Sequence, residues 1–200
     1  MSENRKIGIY TGILFIVGTL SGILSVVLTG PMNQSNNHYT LGALCVLIMG
    51  FSLAFIPIVL YPLLKKHNKT FALGYVVFRG AVETLTYILV FICLVLLYES
   101  NGSEVSLIKI RELSNVSGTY AFSIGAIMLY YVLYKSILLP RLLSVWGMIA
   151  IILHLITGIL ITFGVQTAMS QINLIMIFPI FLQEMVMAVW LIVKGFNRET

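Results

Sequence analysis

The sequence predicts an all-α integral membrane protein, a bundle of six transmembrane helices with both termini cytoplasmic. Three observations lead there. Of 200 residues, 59% are hydrophobic and only 10% charged, against roughly 25% charged in an ordinary soluble domain. The apolar residues fall into six stretches, each long enough for the roughly 20 residues that a spanning helix needs. Basic residues gather on one side of those stretches, as in cytoplasmic loops. The mean hydropathy of +1.01 agrees. Disordered, collagen-like, coiled-coil and disulfide-stapled chains need polar, repetitive or Cys-rich compositions, and none is present.

The first span, 7–29, follows Arg5 and Lys6 as a signal peptide would. Its apolar run exceeds an h-region and no small-x-small site closes it, so it reads as a retained helix. Gly12, Gly18 and Gly22, with Thr11, Thr19 and Ser21, give it a small-residue face suited to close packing. The second span, 41–64, contains Pro57 and Pro62, which free backbone carbonyls and bend a helix. The third, 71–98, includes Ile88 to Leu97, apolar on every side. A barrel strand would alternate, and lipid then leaves only the helix.

The fourth span, 116–134, follows the longest connection, in which Val105, Leu107, Ile108, Ile110 and Leu113 are interspersed with Glu104, Lys109, Arg111 and Glu112. That stretch reads either as a short amphipathic helix lying at the interface or as a wet loop. The fifth and sixth spans cover 142–164 and 173–193, the last carrying Pro179. The prolines predict that helices two and six splay around the interior. Short connections make residues 1–200 one domain.

Nine basic residues lie on one side: Arg5, Lys6, Lys65, Lys66, Lys69, Lys135, Arg141, Lys194 and Arg198. Lys109 and Arg111 lie on the other, with Glu99, Glu104 and Glu112, whereas Glu3 and Glu199 join the nine. This bias predicts cytoplasmic termini, which requires an even number of spans. The net charge of +5 sits mostly on that rim, so lipids are the expected partners and nucleic acid is not. A homo-oligomer stays open. Leu60-Tyr-Pro-Leu-Leu-Lys-Lys66 and Leu129-Tyr-Tyr-Val-Leu-Tyr-Lys135 share a pattern. It reads as a repeat of helix pairs or as ordinary interfacial Tyr-then-Lys anchoring, and Tyr61, Tyr130 and Tyr131 are assigned to the aromatic belt.

Ionisable residues inside spans carry the functional information, since each costs at least about 2.5 kcal/mol at a helix centre. Arg79 and Glu83 lie in the third span, His154 in the fifth and Glu184 in the sixth. Counting from Lys69 and Lys194 at 1.5 Å per residue puts Arg79 and Glu184 both about 15 Å deep. Glu83 and His154 come to about 20 Å. Arg79, Glu83 and Tyr87 share one helix face at i, i+4 spacing, and a guanidinium fork suits two carboxylates. The spacing therefore predicts Arg79 clamped between Glu83 and Glu184. Gln183 points about 100° away from Glu184, toward a neighbouring helix. The cluster reads as a ligand site by default for intramembrane charge, or as a staple between helices three and six. His154 reads as a hydrogen-bonded interior residue, or with Glu83 as a proton relay or one side of a metal site.

No metal-ligand spacing occurs, and His38 and His67 lie in connections on opposite faces. There is no phosphate loop, no nucleophile elbow and no aspartate, so no metal or cofactor is expected. Cys45 and Cys93 read as buried packing residues in separate spans. Asn101-Gly-Ser103 and Asn115-Val-Ser117 match a glycosylation pattern.

The stretches Gly12 to Ile16, Ile56 to Lys66, Ala72-Leu-Gly-Tyr75 with Phe78, Arg79 and Glu83, and Gln183-Glu184-Met185 running into Trp190 to Phe196 carry a resemblance. The chain resembles the bacterial multi-pass membrane family catalogued as domain of unknown function 4386, over almost its whole length. The resemblance implies a six-helix plasma-membrane protein and brings no activity or site. Three functions follow from the residues. The first is binding or movement of a small polar or lipid ligand at Arg79, Glu83, His154 and Glu184, with Tyr87 and Gln183 in support. The second is a structural or regulatory protein stapled by those charges. The third is an intramembrane enzyme with Glu83 or His154 as acid or base, which no recognised motif supports. A water-reachable cavity favours the first, and sealed packing the second.

Overall fold

The computed structural model describes residues 3–29, 37–100 and 104–197. Arg198, Glu199 and the Asn101 glycosylation match lie outside the described residues. Six long apolar helices make up the fold: α1 Glu3–Thr29, α2 Asn37–Leu64, α3 Lys69–Glu99, α4 Val105–Ser136, α5 Arg141–Thr162 and α6 Gln171–Val193. Among the described residues there is no strand. The chain is a helical, multi-pass membrane protein.

Local chemistry sets the helix ends. The Asn68 side chain accepts a hydrogen bond from the Phe71 N–H at 3.0 Å and starts α3. Ser170 does the same for α6 through the Asn173 N–H, each satisfying an otherwise orphaned donor. Gly164 and Gly195 follow α5 and α6 with φ of 70° and 77°, the left-handed conformation that ends helices readily. Ile137 ends α4 in the same conformation, φ 55°, which is strained for a β-branched residue. Behind it Leu138 and Leu139 are fully buried.

Two sequence readings are corrected. The amphipathic stretch from Val105 is neither a separate interfacial helix nor a loop, because it forms the first turns of α4 and continues without a break into the span. The alternation of apolar and charged residues there suits a helix leaving the membrane as well as one lying on it. Pro57 and Pro62 lie within α2 and Pro179 within α6, inside continuous helices. Cys93 is buried, whereas Cys45 is only half-buried, and both are free.

Backbone packing joins α1 to α2, α2 to α3, and so on to α6, which returns to α1. The helices thus form a closed up-and-down ring. At the lysine-rich end the ring is filled by Leu60, Leu63, Leu64, Tyr75, Leu133 and Leu138, all essentially inaccessible. Arg5 donates to the carbonyls of Leu191, Ile192 and Val193, capping α6 where its carbonyls lack helical partners. Its place beside those groups brings the start of α1 against the end of α6. The outside of the ring is studded with exposed apolar residues such as Leu20, Leu85, Leu142 and Ile175, as a lipid-facing surface requires.

Candidate functional site

Arg79 sits in the middle of α3, where residues Val76–Val82 form a π-helical segment. Such widened turns recur at functional sites. Two neighbours approach the segment closely. A Cβ on Gly80 would lie 3.2 Å from Cγ of Pro57 on α2, and one on Gly125 of α4 would lie 3.2 Å from the Arg79 backbone nitrogen. A side chain at 125 would press on the backbone of Arg79, so glycine there eases the close approach of α4.

Arg79 and Glu83 are buried, and Nη1 of Arg79 donates to both oxygens of Glu83, at 2.9 and 3.1 Å. Nη2 reaches Oε1 of Glu184 on α6 at 3.5 Å. Since α3 and α6 are not ring neighbours, that bond crosses the interior. The Tyr87 hydroxyl donates to Oε1 of Glu83 at 2.6 Å, one turn further along the same face. The guanidinium lies over the Phe122 ring, 4.1 Å from its centroid, a cation–π contact that strengthens when desolvated. Nε of Arg79 is buried without a hydrogen-bond partner.

His154 stands beside this cluster without touching its carboxylates. Its Nδ1 shares a 3.3 Å hydrogen bond with Ser123, and its ring meets Phe122 edge-on at 5.1 Å. Among the described residues no three His, Cys, Asp or Glu side chains are grouped so as to hold a metal ion.

Gln183 points away from the cluster. It accepts a 2.6 Å hydrogen bond from the Tyr130 hydroxyl and donates to the Leu143 carbonyl at 3.2 Å. That corrects the placing of Tyr130 in the aromatic belt: it is fully buried, and its ring passes so close to Gly147 that a Cβ there would lie 2.4 Å from Cε1. Its neighbour Tyr131 takes the interfacial role, packed on Phe71 with Lys135 over its ring at 5.9 Å. Tyr61 likewise carries Lys65.

Arg79, Glu83, Tyr87, His154 and Glu184 line one interior cavity of about 570 Å³ to which all six helices contribute. It extends from this polar floor to Arg111 and Asn115 near the end opposite the lysines. Its walls between are mostly apolar, including Met49, Leu53, Val90 and Ile177. Ile23, Val26 and Val27 of α1 and Leu174 of α6 line it while staying largely exposed, so it opens between the far halves of those helices. Arg111 donates to the Thr29 hydroxyl at 2.9 Å. The contribution of Arg111, Asn115, Phe122 and Ser123 was not foreseeable from depth alone, and only the charge of Arg111 on an amphipathic stretch hinted at its place. A second, shallower hollow of about 430 Å³ lies on the surface of α6 around Trp190 and Val186 and holds none of these groups.

No curated protein and no solved structure matches the chain. Residues 10–195 match the family model described as Domain of unknown function (DUF4386), and the chain belongs to that family.

Proposed function

We propose that this protein binds a small polar or lipid ligand in its interior cavity, with Arg79, Glu83, His154 and Glu184 as the polar floor and Tyr87 in support. One observation carries the reading: the four residues share a space of about 570 Å³, within the roughly 300–1,000 Å³ usual for ligand pockets. A network serving only to hold helices together has no need of such a space. Intramembrane charge facing a cavity is otherwise expensive to keep. The basic bias supports cytoplasmic termini, which would turn the cavity mouth outward. Gln183 belongs to the packing between α4, α5 and α6 rather than to the ligand.

The test is chemical access to the floor. With Cys45→Ser and Cys93→Ser removing the native thiols, His154→Cys is expected to react with a small water-soluble methanethiosulfonate in detergent and in proteoliposomes. A folded variant that resists modification in both would show sealed packing and sink the proposal.

A further inference from the structure

The three charges across the ring do not balance. Arg79 and Glu83 form a tight pair, their side chains 3% and 1% exposed, and Tyr87 adds a further donor to Glu83. Glu184 is the remainder. Among the described residues its one hydrogen bond is the 3.5 Å contact from Arg79 Nη2, and its side chain stays 13% exposed, against the cavity. An ionised carboxylate has about four acceptor sites, so most of its capacity is unused where an uncompensated charge is costly.

The charged and titratable groups around it are few. Arg79, Glu83, Tyr75 and Tyr87 come from α3, Tyr130 from α4 and His154 from α5. The parts of α1 and α2 that line the cavity hold none. Arg111 lies roughly 16 Å nearer the mouth, counting from Phe122 at about 1.5 Å per residue. The wall between is mostly apolar.

We infer, resting on the binding function proposed above, that the ligand is an amphiphilic organic cation. Its ammonium group sits at Glu184 and its apolar body lies along Met49, Leu53, Val90 and Ile177. The ammonium supplies both the missing charge and the missing donors, and a proton competes with it for the same carboxylate. Arg79 does not repel it strongly, because Glu83 already neutralises that guanidinium.

The probe is hexylammonium, with hexanoate and hexanol as matched anionic and neutral compounds, titrated calorimetrically against the full chain in nonionic detergent. Hexylammonium is expected to bind best. Its affinity should fall about tenfold or more in Glu184→Gln, as losing a charged hydrogen bond implies, and survive within a few fold in Glu184→Asp. In the unmodified chain the affinity should also weaken as pH is lowered from 8 to 5. An affinity for hexylammonium that ignores pH overturns the inference even if neither variant folds. Preferred binding of hexanoate, lost in Arg111→Gln, overturns it too while leaving a ligand-binding cavity intact. No binding of any probe, with the His154→Cys thiol still reactive, refutes the cation assignment alone; an unreactive thiol in that variant refutes the cavity itself.

Discussion

Both oxygens of Glu83 accept from a single nitrogen of Arg79, Nη1, at 2.9 and 3.1 Å. A parallel fork would use two nitrogens. Using one leaves Nη2 for Glu184 and Nε without a partner. One guanidinium therefore serves its own helix and a helix across the ring.

Removing that guanidinium strands two carboxylates. Arg79→Ala is expected to cost about 3–5 kcal/mol, the usual penalty for breaking a buried ion pair from one side. Replacing Arg79, Glu83 and Glu184 together by leucine should cost less than the single change, since apolar substitutes for a whole network are often tolerated. Denaturant titration in detergent measures both. A single variant as stable as the parent would show that the bonds carry no weight.

The Tyr87 hydroxyl donates at 2.6 Å to Glu83, the carboxyl group paired with Arg79. Tyr87→Phe should lose about 1.5–3 kcal/mol, the range for hydrogen bonds to charge. The same measurement on Tyr131→Phe, whose ring sits at the surface on Phe71, is expected to show little change. Equal losses at the two positions would contradict the placing of Tyr87 on Glu83.

Gly147 exists to admit Tyr130. Gly147→Ala puts a methyl group where the ring already lies, and overpacking of that kind costs about 1–3 kcal/mol. In a Tyr130→Ala background the same change should be nearly neutral, because the space has been vacated. Additive effects in this double-mutant cycle would mean that the two residues are not in contact.

The proposed orientation is tested by labelling cells expressing single-cysteine chains. His67 and Glu104 are both exposed, at opposite ends of α3 and its connection to α4. Glu104→Cys is expected to react with an impermeant maleimide in intact cells, and His67→Cys only after permeabilisation. The reverse pattern would put the cavity mouth on the cytoplasmic side.

Depth was legible in the sequence and azimuth was not. Counting inward from Lys69 and Lys194 brings Arg79 and Glu184 to one level because both helices rise steadily from the same end, and the two side chains do meet. The count says nothing about which way a residue faces. Tyr130 reads as an anchor beside Lys135 and instead turns inward, because Gly147 on another helix makes room for its ring. The π-helical turn at Val76–Val82 is equally hidden, since it reflects a slipped hydrogen-bond ladder set against Pro57 and Gly125 rather than any local composition. Nor does alternation in Val105 to Leu113 reveal whether the chain bends before Val116. The six spans were legible because apolar length alone decides them. The cavity was not, because it arises from closing a ring.

That ring is hollow at one end and packed at the other. Leu60, Leu63, Leu64 and Leu133 plug it beneath the charged floor, so the interior has the shape of a cup and not of a pipe. The lining of the cavity reaches Arg79, Glu83 and Glu184 and includes none of these leucines. Passage would require the leucine plug to repack, whereas capture and release from one side require nothing of it.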